Sequence, residues 1–241
     1  MKISIIVPAF NEERLLADSL AAIHSAARTF AGRGWTYELI VCDNNSTDRT
    51  AEIAREAGAQ VVFEPVNQIG RARNTGAEAA TGDWLLFIDA DSRPSDELLA
   101  DMAGHIETGR VLGGGATVRV DDERWMSRFF VTIWNLIGRV GRQMAGSFIF
   151  VEVTAFRRLE GFSNEFFAAE ELDFCKRLKK LARETKQSIV ILHRHPLYTS
   201  GRKLDLYSPW EIIRMLLRVL TTGGRALRSR ATTQFWYDGR R

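Results

Sequence analysis

Two aspartates, Asp89 and Asp91, close a continuous apolar run at residues 84–88 (WLLFI). Alternate residues of an extended chain share a face, so both carboxylates can aim at one point. Such a pair suits Mg²⁺ or Mn²⁺, which take one or two protein carboxylates and complete their shell with water and substrate phosphates. A cation held there would carry the charge of a diphosphate leaving group. Three more acids, Glu170, Glu171 and Asp173, crowd one predicted helix start. Acids suit a helix N-terminus on dipole grounds alone. One of them could equally act as general base toward a hydroxyl, its pKa raised by its neighbours. The loop 43–48 (DNNSTD) offers short polar side chains that can hydrogen-bond a base or ribose, or cap the next helix. Arg71, Arg73 and Asn74 open a further helix, where phosphate could meet guanidinium and free N–H groups together. A solvated helical face would contain the same residues.

These groups need a frame, and the first half of the chain supplies an alternating one. Apolar runs at 3–7, 37–42, 60–63 and 84–88 read as strands. Between them lie predicted helices at 15–30, from about 48 to Gly58, and at 71–80, and another opens at Pro94-Ser95 and runs to about 106. This βαβαβαβ order implies a largely parallel sheet with helices on both faces. In such sheets ligands bind beyond the carboxyl ends of the strands. Those ends hold Pro8-Ala9-Phe10, Asp43-Asn44-Asn45, Glu64-Pro65 and Asp89-Ala90-Asp91. The second half is less regular. Strands are predicted at 111–120, 147–156 and 189–192, and helices at 124–140, 170–181 and 209–220.

Composition excludes several classes. The chain has 241 residues, 45% hydrophobic and 26% charged, so it is globular rather than disordered. It contains no GxGxxG after the first strand, no GxxxxGK[ST] loop and no GxSxG elbow, which argues against nicotinamide, P-loop and hydrolase chemistry. Cys42 and Cys175 have neither CxxC nor zinc spacing. With no signal-peptide core at the start, they point to a reduced, cytoplasmic setting. Residues 201–241 carry nine Lys/Arg against three Asp/Glu, whereas the whole chain is only +3. A basic tail on a mildly acidic body argues against a nucleic-acid-binding core and suits contact with an anionic surface.

Taken in order, the segments VPAFNEE (7–13), VCDNNSTDRT (41–50), GRARNTG (70–76), FIDADS (87–92), GSFIFV (146–151), EGFSNEFFAAEELDFCKRL (160–178) and TSGRK (199–203) resemble family-2 glycosyltransferases of the GT-A fold. The resemblance spans roughly residues 2–203. It implies a Rossmann-like, mostly parallel sheet with a nucleotide-binding half (1–92) and an acceptor-binding half (93–203). Residues 204–241 would then form a C-terminal amphipathic helix and basic tail. By the same resemblance Pro8, Ala9, Phe10 and Glu12 line the nucleotide pocket. Asp43 meets the base with Asn45 or Ser46 nearby, and Arg71, Arg73 and Asn74 approach the nucleotide. Asp89 contacts ribose or sugar and Asp91 holds Mn²⁺ or Mg²⁺. Glu171 stands where the family has the catalytic Asp of a Glu-Asp pair, with Glu170 and Asp173 as alternatives. His195 is a further possible metal ligand. The family's Gly-Gly-Phe is here Glu160-Gly161-Phe162, and the QxxRW of processive members is absent. The expected reaction is a non-processive, inverting transfer from a UDP- or GDP-sugar to a glycan or lipid-linked hydroxyl. A non-catalytic scaffold would not need Asp89, Asp91, Glu170 and Glu171. A nucleotidyltransferase would need a Gly-rich basic loop in place of VPAFNEE.

Two segments are unusually apolar, 125–141 and 209–220. Packing on the sheet explains both, since apolar stripes are usually core. The sharper expectation is that 125–141 and 209–230 touch a membrane interface at its inner face, with arginines at the headgroups.

Overall fold

The computed structural model describes residues 1–121 and 125–201. The expected helix at 209–220, and with it the whole 204–241 segment, lies outside the described residues. Among the described residues, eight strands form one sheet in the order β3-β2-β1-β4-β7-β6-β8-β5. Its first half is β1 (Lys2–Ala9), β2 (Thr36–Asp43), β3 (Gln60–Phe63) and β4 (Trp84–Ile88), all parallel. The helices between them are α1 (Leu16–Ala27), α2 (Thr50–Glu56) and α3 (Ile69–Glu78). Every residue of β4 is buried, as a strand covered on both faces requires. Leu86 and Ile88 face the core under α1 and α4 (Asp96–Glu107), and Leu85 and Phe87 face the core under α3.

The second half is mixed. β7 (Phe148–Glu152) runs antiparallel to β4, and β6 (Val111–Val120) antiparallel to β7. β8 (Ser188–Thr199) lies parallel to β6, and the short β5 (Ser92–Arg93) antiparallel to β8. The triple glycine of β6 explains how three strands crowd there. A Cβ on Gly114 would stand 2.8 Å from the Phe150 ring. The expected strand at 147–156 stops at Glu152, which pairs with Trp84, the first residue of β4. With no further ladder partner, the chain turns into α6 (Val153–Arg158). β8 outruns its expected end because Pro196, which has no N–H to donate, falls in a register break between Leu192 and Leu197. The helix expected at 15–30 is α1 followed by a 3-10 stretch, Arg28–Arg33, closed by Gly34 at φ 68°. Among the described residues, two more helices are α5 (Trp125–Gly141) and α7 (Glu170–Glu184).

The loop between α6 and α7 begins with two left-handed residues, Glu160 (φ 57°) and Gly161 (φ 67°). Asn74 Oδ1 accepts from Phe162 N at 2.9 Å and its Nδ2 donates to Phe162 O at 2.8 Å, which clamps this loop onto α3. A Cβ on Gly161 would approach Asn74 Oδ1 to 2.5 Å. The two positions should therefore answer oppositely in thermal and urea unfolding. Glu160→Gly relieves left-handed backbone strain and is expected to be neutral or stabilising by up to about 1 kcal/mol. Gly161→Ala adds both strain and a clash and is expected to destabilise by more than about 1 kcal/mol. Equal effects at both would contradict this account of the loop.

Candidate active site

The carboxyl ends of β1, β2 and β4 meet at one edge, and local hydrogen bonds fix their loops. After β1 the chain turns at Asn11 (φ 52°), whose backbone N–H donates to Ser46 Oγ at 2.9 Å. Its Oδ1 accepts from Thr47 N at 2.7 Å. Glu12 is buried, and its backbone N–H donates to Thr50 Oγ1 at 2.7 Å. Pro8 and Ala9 belong to β1 itself and are buried, while Phe10 is half-buried just beyond them. Asp43 is buried, and its Oδ1 accepts from Ser46 N at 3.0 Å, so it organises its own loop. Asn45 is exposed, with φ 66°.

Two buried amides brace this rim: Asn44, part of the polar loop 43–48, and Gln68, which the sequence reading missed. Asn44 Nδ2 donates to Val66 O at 2.7 Å, and its Oδ1 accepts from Gln68 N at 2.9 Å. Gln68 Nε2 in turn donates to Phe166 O at 2.7 Å and Asn164 O at 2.9 Å, and its Oε1 accepts from Arg71 Nε at 3.0 Å. These bonds join the β2 and β3 loops, α3 and the loop before α7. The available signal was position alone: both amides lie at strand or helix ends, where backbone groups lack partners.

The centre of the site is Arg73. It sits on α3, 1% exposed, rather than on a solvated helix face. One guanidinium nitrogen pairs with Glu170 Oε1. The other donates to Asp89 Oδ1 at 3.1 Å and to Gly146 O at 2.8 Å. The guanidinium carbon lies 5.3 Å from the Phe162 ring centroid. Burial works against its charge, but Glu170, Asp89 and Glu171 outweigh that and hold its pKa above the ordinary value. Burial also pushes the Glu170 carboxyl upward, against the pull of Arg73. Glu171 is half-buried beside them. Burial and then the Glu170 charge push it to about 8, again against Arg73.

Not every expected site residue joins this cluster. Asn74 spends its side chain on the Phe162 clamp. Asp173 is paired with Arg177 at 2.7 Å, one turn along α7, and Arg177 also donates to Leu159 O and Gly161 O. His195 Nδ1 lies 3.0 Å from Asp101 Oδ2, on α4. Asp91 is 9% exposed; its Oδ1 accepts from Thr199 Oγ1 at 3.4 Å and Ser92 Oγ at 3.5 Å. It lines a cavity of about 210 Å³ together with Asp18, Ser19 and Asp121. Among the described residues, no group of three or more His, Cys, Asp or Glu is placed to hold a metal by itself. The hard oxygen donors still fit Mg²⁺ or Mn²⁺, which commonly draw only one or two ligands from protein and the rest from phosphate and water.

The family model described as Glycosyl transferase family 2 matches residues 4–160. An uncharacterised glycosyltransferase of Mycobacterium tuberculosis is 35% identical over 123 residues, which cover 51% of this chain and 52% of that protein. A dolichol-phosphate mannosyltransferase of Pyrococcus furiosus is 30% identical over 124 residues, 48% of this chain and 33% of that one. The chain thus spans about half the length, or less, of these curated relatives. The crystal structure of Staphylococcus aureus TarS 1–349 superposes with a TM-score of 0.65 at 22% identity, over 91% of this chain and 65% of that one. Mannosyltransferase PcManGT of Pyrobaculum calidifontis, solved with GDP-Man and Mn²⁺, gives a TM-score of 0.64 at 19% identity, over 88% and 60%. At such identities the likeness carries the fold, a mixed sheet flanked by helices of the expected GT-A type.

Two measurements check the electrostatics. Arg73→Met leaves Glu170 buried without its cation and is expected to cost about 3–5 kcal/mol in urea unfolding. A loss below about 1 kcal/mol would show that the pair is not structural. Glu171 binds its proton more tightly folded than unfolded. Its contribution to stability therefore falls as pH rises from the ordinary 4.5 through the folded value of about 8. Glu171→Gln removes that penalty, so its Tm advantage over wild type should grow between about pH 5 and about pH 8.5. A difference in Tm that stays flat over this range would contradict the raised pKa.

Proposed function

The chain belongs to glycosyl transferase family 2, and from that membership and the Arg73 cluster we propose that it moves a sugar from a nucleoside-diphosphate donor to an acceptor hydroxyl, inverting the anomeric carbon. Three structural neighbours support the donor class. TarS was solved with UDP-GlcNAc, PcManGT with GDP-Man and Mn²⁺, and a glucosyl-3-phosphoglycerate synthase of Mycobacterium tuberculosis with Mg²⁺ and UDP. In our reading Pro8, Ala9, Phe10, Glu12, Asp43 and Asn45 border the base and ribose, and Arg71 faces the diphosphate. Asp89, oriented by Arg73, meets the donor's ribose or sugar. Asp91 would hold Mn²⁺ or Mg²⁺, with Asp89, two residues before it, as the second carboxylate. The bound cation would supply charge neutralisation for the departing nucleoside diphosphate.

The observation that carries the chemistry is the position of Glu171, half-buried in the first turn of α7 beside two carboxylates that already have partners. Glu170 is engaged by Arg73 and Asp173 by Arg177, which supports Glu171 as the base. A base of pKa near 8 balances availability against driving force at neutral pH. It takes the acceptor hydroxyl proton while that oxygen forms its bond to the anomeric carbon. The bond from that carbon to the phosphate oxygen breaks on the opposite face, and the electron pair leaves with the nucleoside diphosphate. One in-line displacement inverts the carbon. The absence of QxxRW supports a single, non-processive transfer.

The test is donor turnover with Mn²⁺, read as released nucleoside diphosphate. Glu171→Gln is expected to lower the rate by about 10²–10⁴-fold. Asp91→Ala is expected to abolish dependence on added Mn²⁺ along with most of the activity. Circular dichroism and Tm confirm that both variants fold. Wild-type turnover in both folded variants would refute the assignment.

A further inference from the structure

Helix α5 is amphipathic the wrong way round for a globular surface. Its inward face is Val131, Asn135 and Gly138, at helical spacing. Val131 packs on the core below, and Gly138 is buried. Asn135 accepts from Val118 N at 3.0 Å and donates to Val118 O at 2.8 Å, beside the break in the β6–β8 register. The opposite face holds Ile133, Leu136 and Val140, exposed to 39%, 59% and 80%, with Trp134 on its shoulder at 41%. A surface helix normally turns charged residues to that side. Two clefts flank the ridge. One, of about 570 Å³, is lined by Leu136, Val140, Arg139, Arg142, His105 and His193, with no carboxylate among its described lining residues. The other, of about 770 Å³, carries Arg119, Arg139 and His193. Its one described carboxylate, Asp121, is already paired with Arg93.

We propose that α5 is an in-plane anchor that docks the protein on an anionic phospholipid bilayer. The apolar ridge enters the boundary between headgroups and acyl chains, and the arginines beside it stand at phosphate level. The flanking charge selects this occupant. A purely apolar partner would leave Arg139 and Arg142 without counter-charges, whereas lipid phosphates supply them. Among the described residues no helix is long and apolar enough to cross a membrane, and an in-plane anchor needs none. The start of α5 follows β6, whose last residue, Val120, pairs with Thr199, and Thr199 bonds to Asp91. The exposed end of the ridge, Leu136 and Val140, lines its cleft with Val111 and Ser188, the first residues of β6 and β8, so it stands toward the end of β6 away from Asp91.

The basic composition of residues 202–241 would also draw the chain to anionic vesicles, so simple sedimentation does not isolate α5. A reporter on the ridge does. Val140→Cys in the full chain takes a nitrobenzoxadiazole label selectively, because Cys42 and Cys175 are buried. With phosphatidylcholine–phosphatidylglycerol vesicles its emission should shift to the blue and be quenched by nitroxide on the acyl chains. With phosphatidylcholine alone the change should be much smaller. The same label at Glu78→Cys, exposed on α3, should not respond. Arg139→Glu/Arg142→Glu should weaken the Val140 response at least about tenfold in lipid concentration. A label already blue-shifted without vesicles would show that the chain's own 202–241 segment covers the ridge. A shift that grows with protein concentration alone would show that a second copy does. Either result, or no response to any vesicle, overturns the anchor. Donor turnover in solution by the unlabelled ridge variants reads the Proposed function separately, since α5 takes no part in that chemistry.

Discussion

One buried guanidinium organises the edge of the sheet where the candidate site lies. Removing a full charge from water costs several kcal/mol, and the cost is tolerable only if the surroundings return strong partners. Arg73 collects them from four places at once: Glu170 at the start of α7, Asp89 after β4, the Gly146 carbonyl before β7, and the face of Phe162. None of those segments can shift without stranding a charge. Even so, the Arg73 Nε is buried with no partner among the described residues, so the fit is incomplete. Rigidity here follows from electrostatics more than from packing. The aromatic cluster of Phe87, Phe156, Phe162 and Phe174 then excludes water from one side of the pair.

The charge count has a chemical consequence. Glu170, Glu171 and Asp89 all act electrostatically on one cation. A single positive charge cannot neutralise three carboxylates in a poorly hydrated site, so the cluster retains a proton to higher pH than any of its members would alone. Glu170 and Glu171 are both raised, chiefly by burial, and the retained proton is shared by this coupled pair. The raised carboxyls next to a structural ion pair are thus the result of arithmetic among fixed charges, not of a separate device.

Much of this was legible in the sequence, and the gaps have physical causes. The bounds of β3, β4 and β6 follow from continuous apolar or β-branched runs, and Ser95 caps α4 where the Pro-Ser pair placed a helix start. The acids 170–173 marked the beginning of α7. What local patterns cannot carry is partnership over long distances. Arg73 and Glu170 are 97 residues apart, and nothing near Arg73 distinguishes a buried arginine from a solvated one. Asn74 and Asp173 have side chains suited to a site, yet a loop clamp and an i,i+4 arginine claim them. The strand predicted at 147–156 fails for a similar reason: its alternation is genuine, but β4 ends before it does.

The loop that delivers the two glutamates is strained at both ends, and the strain has a direction. Glu160 and Ala169 both take left-handed backbone (φ 57° and 62°), a conformation that costs a residue with a Cβ about 1–2 kcal/mol. Asn74 and Arg177 hold the first end through Phe162, Leu159 and Gly161, and Gln68 holds the middle through Asn164 and Phe166. At the second end, the turn at Ala169 starts α7 abruptly, so its first two residues carry the carboxylates. Backbone N–H groups there favour the ionised form of both, and they oppose the burial that raises them. The helix start therefore moderates the shift that the charge cluster creates. Burial raises the Glu171 carboxyl and the backbone N–H groups of the helix start lower it, and the first of these is the larger. Strain at Ala169 is what brings both influences to bear on one carboxyl group.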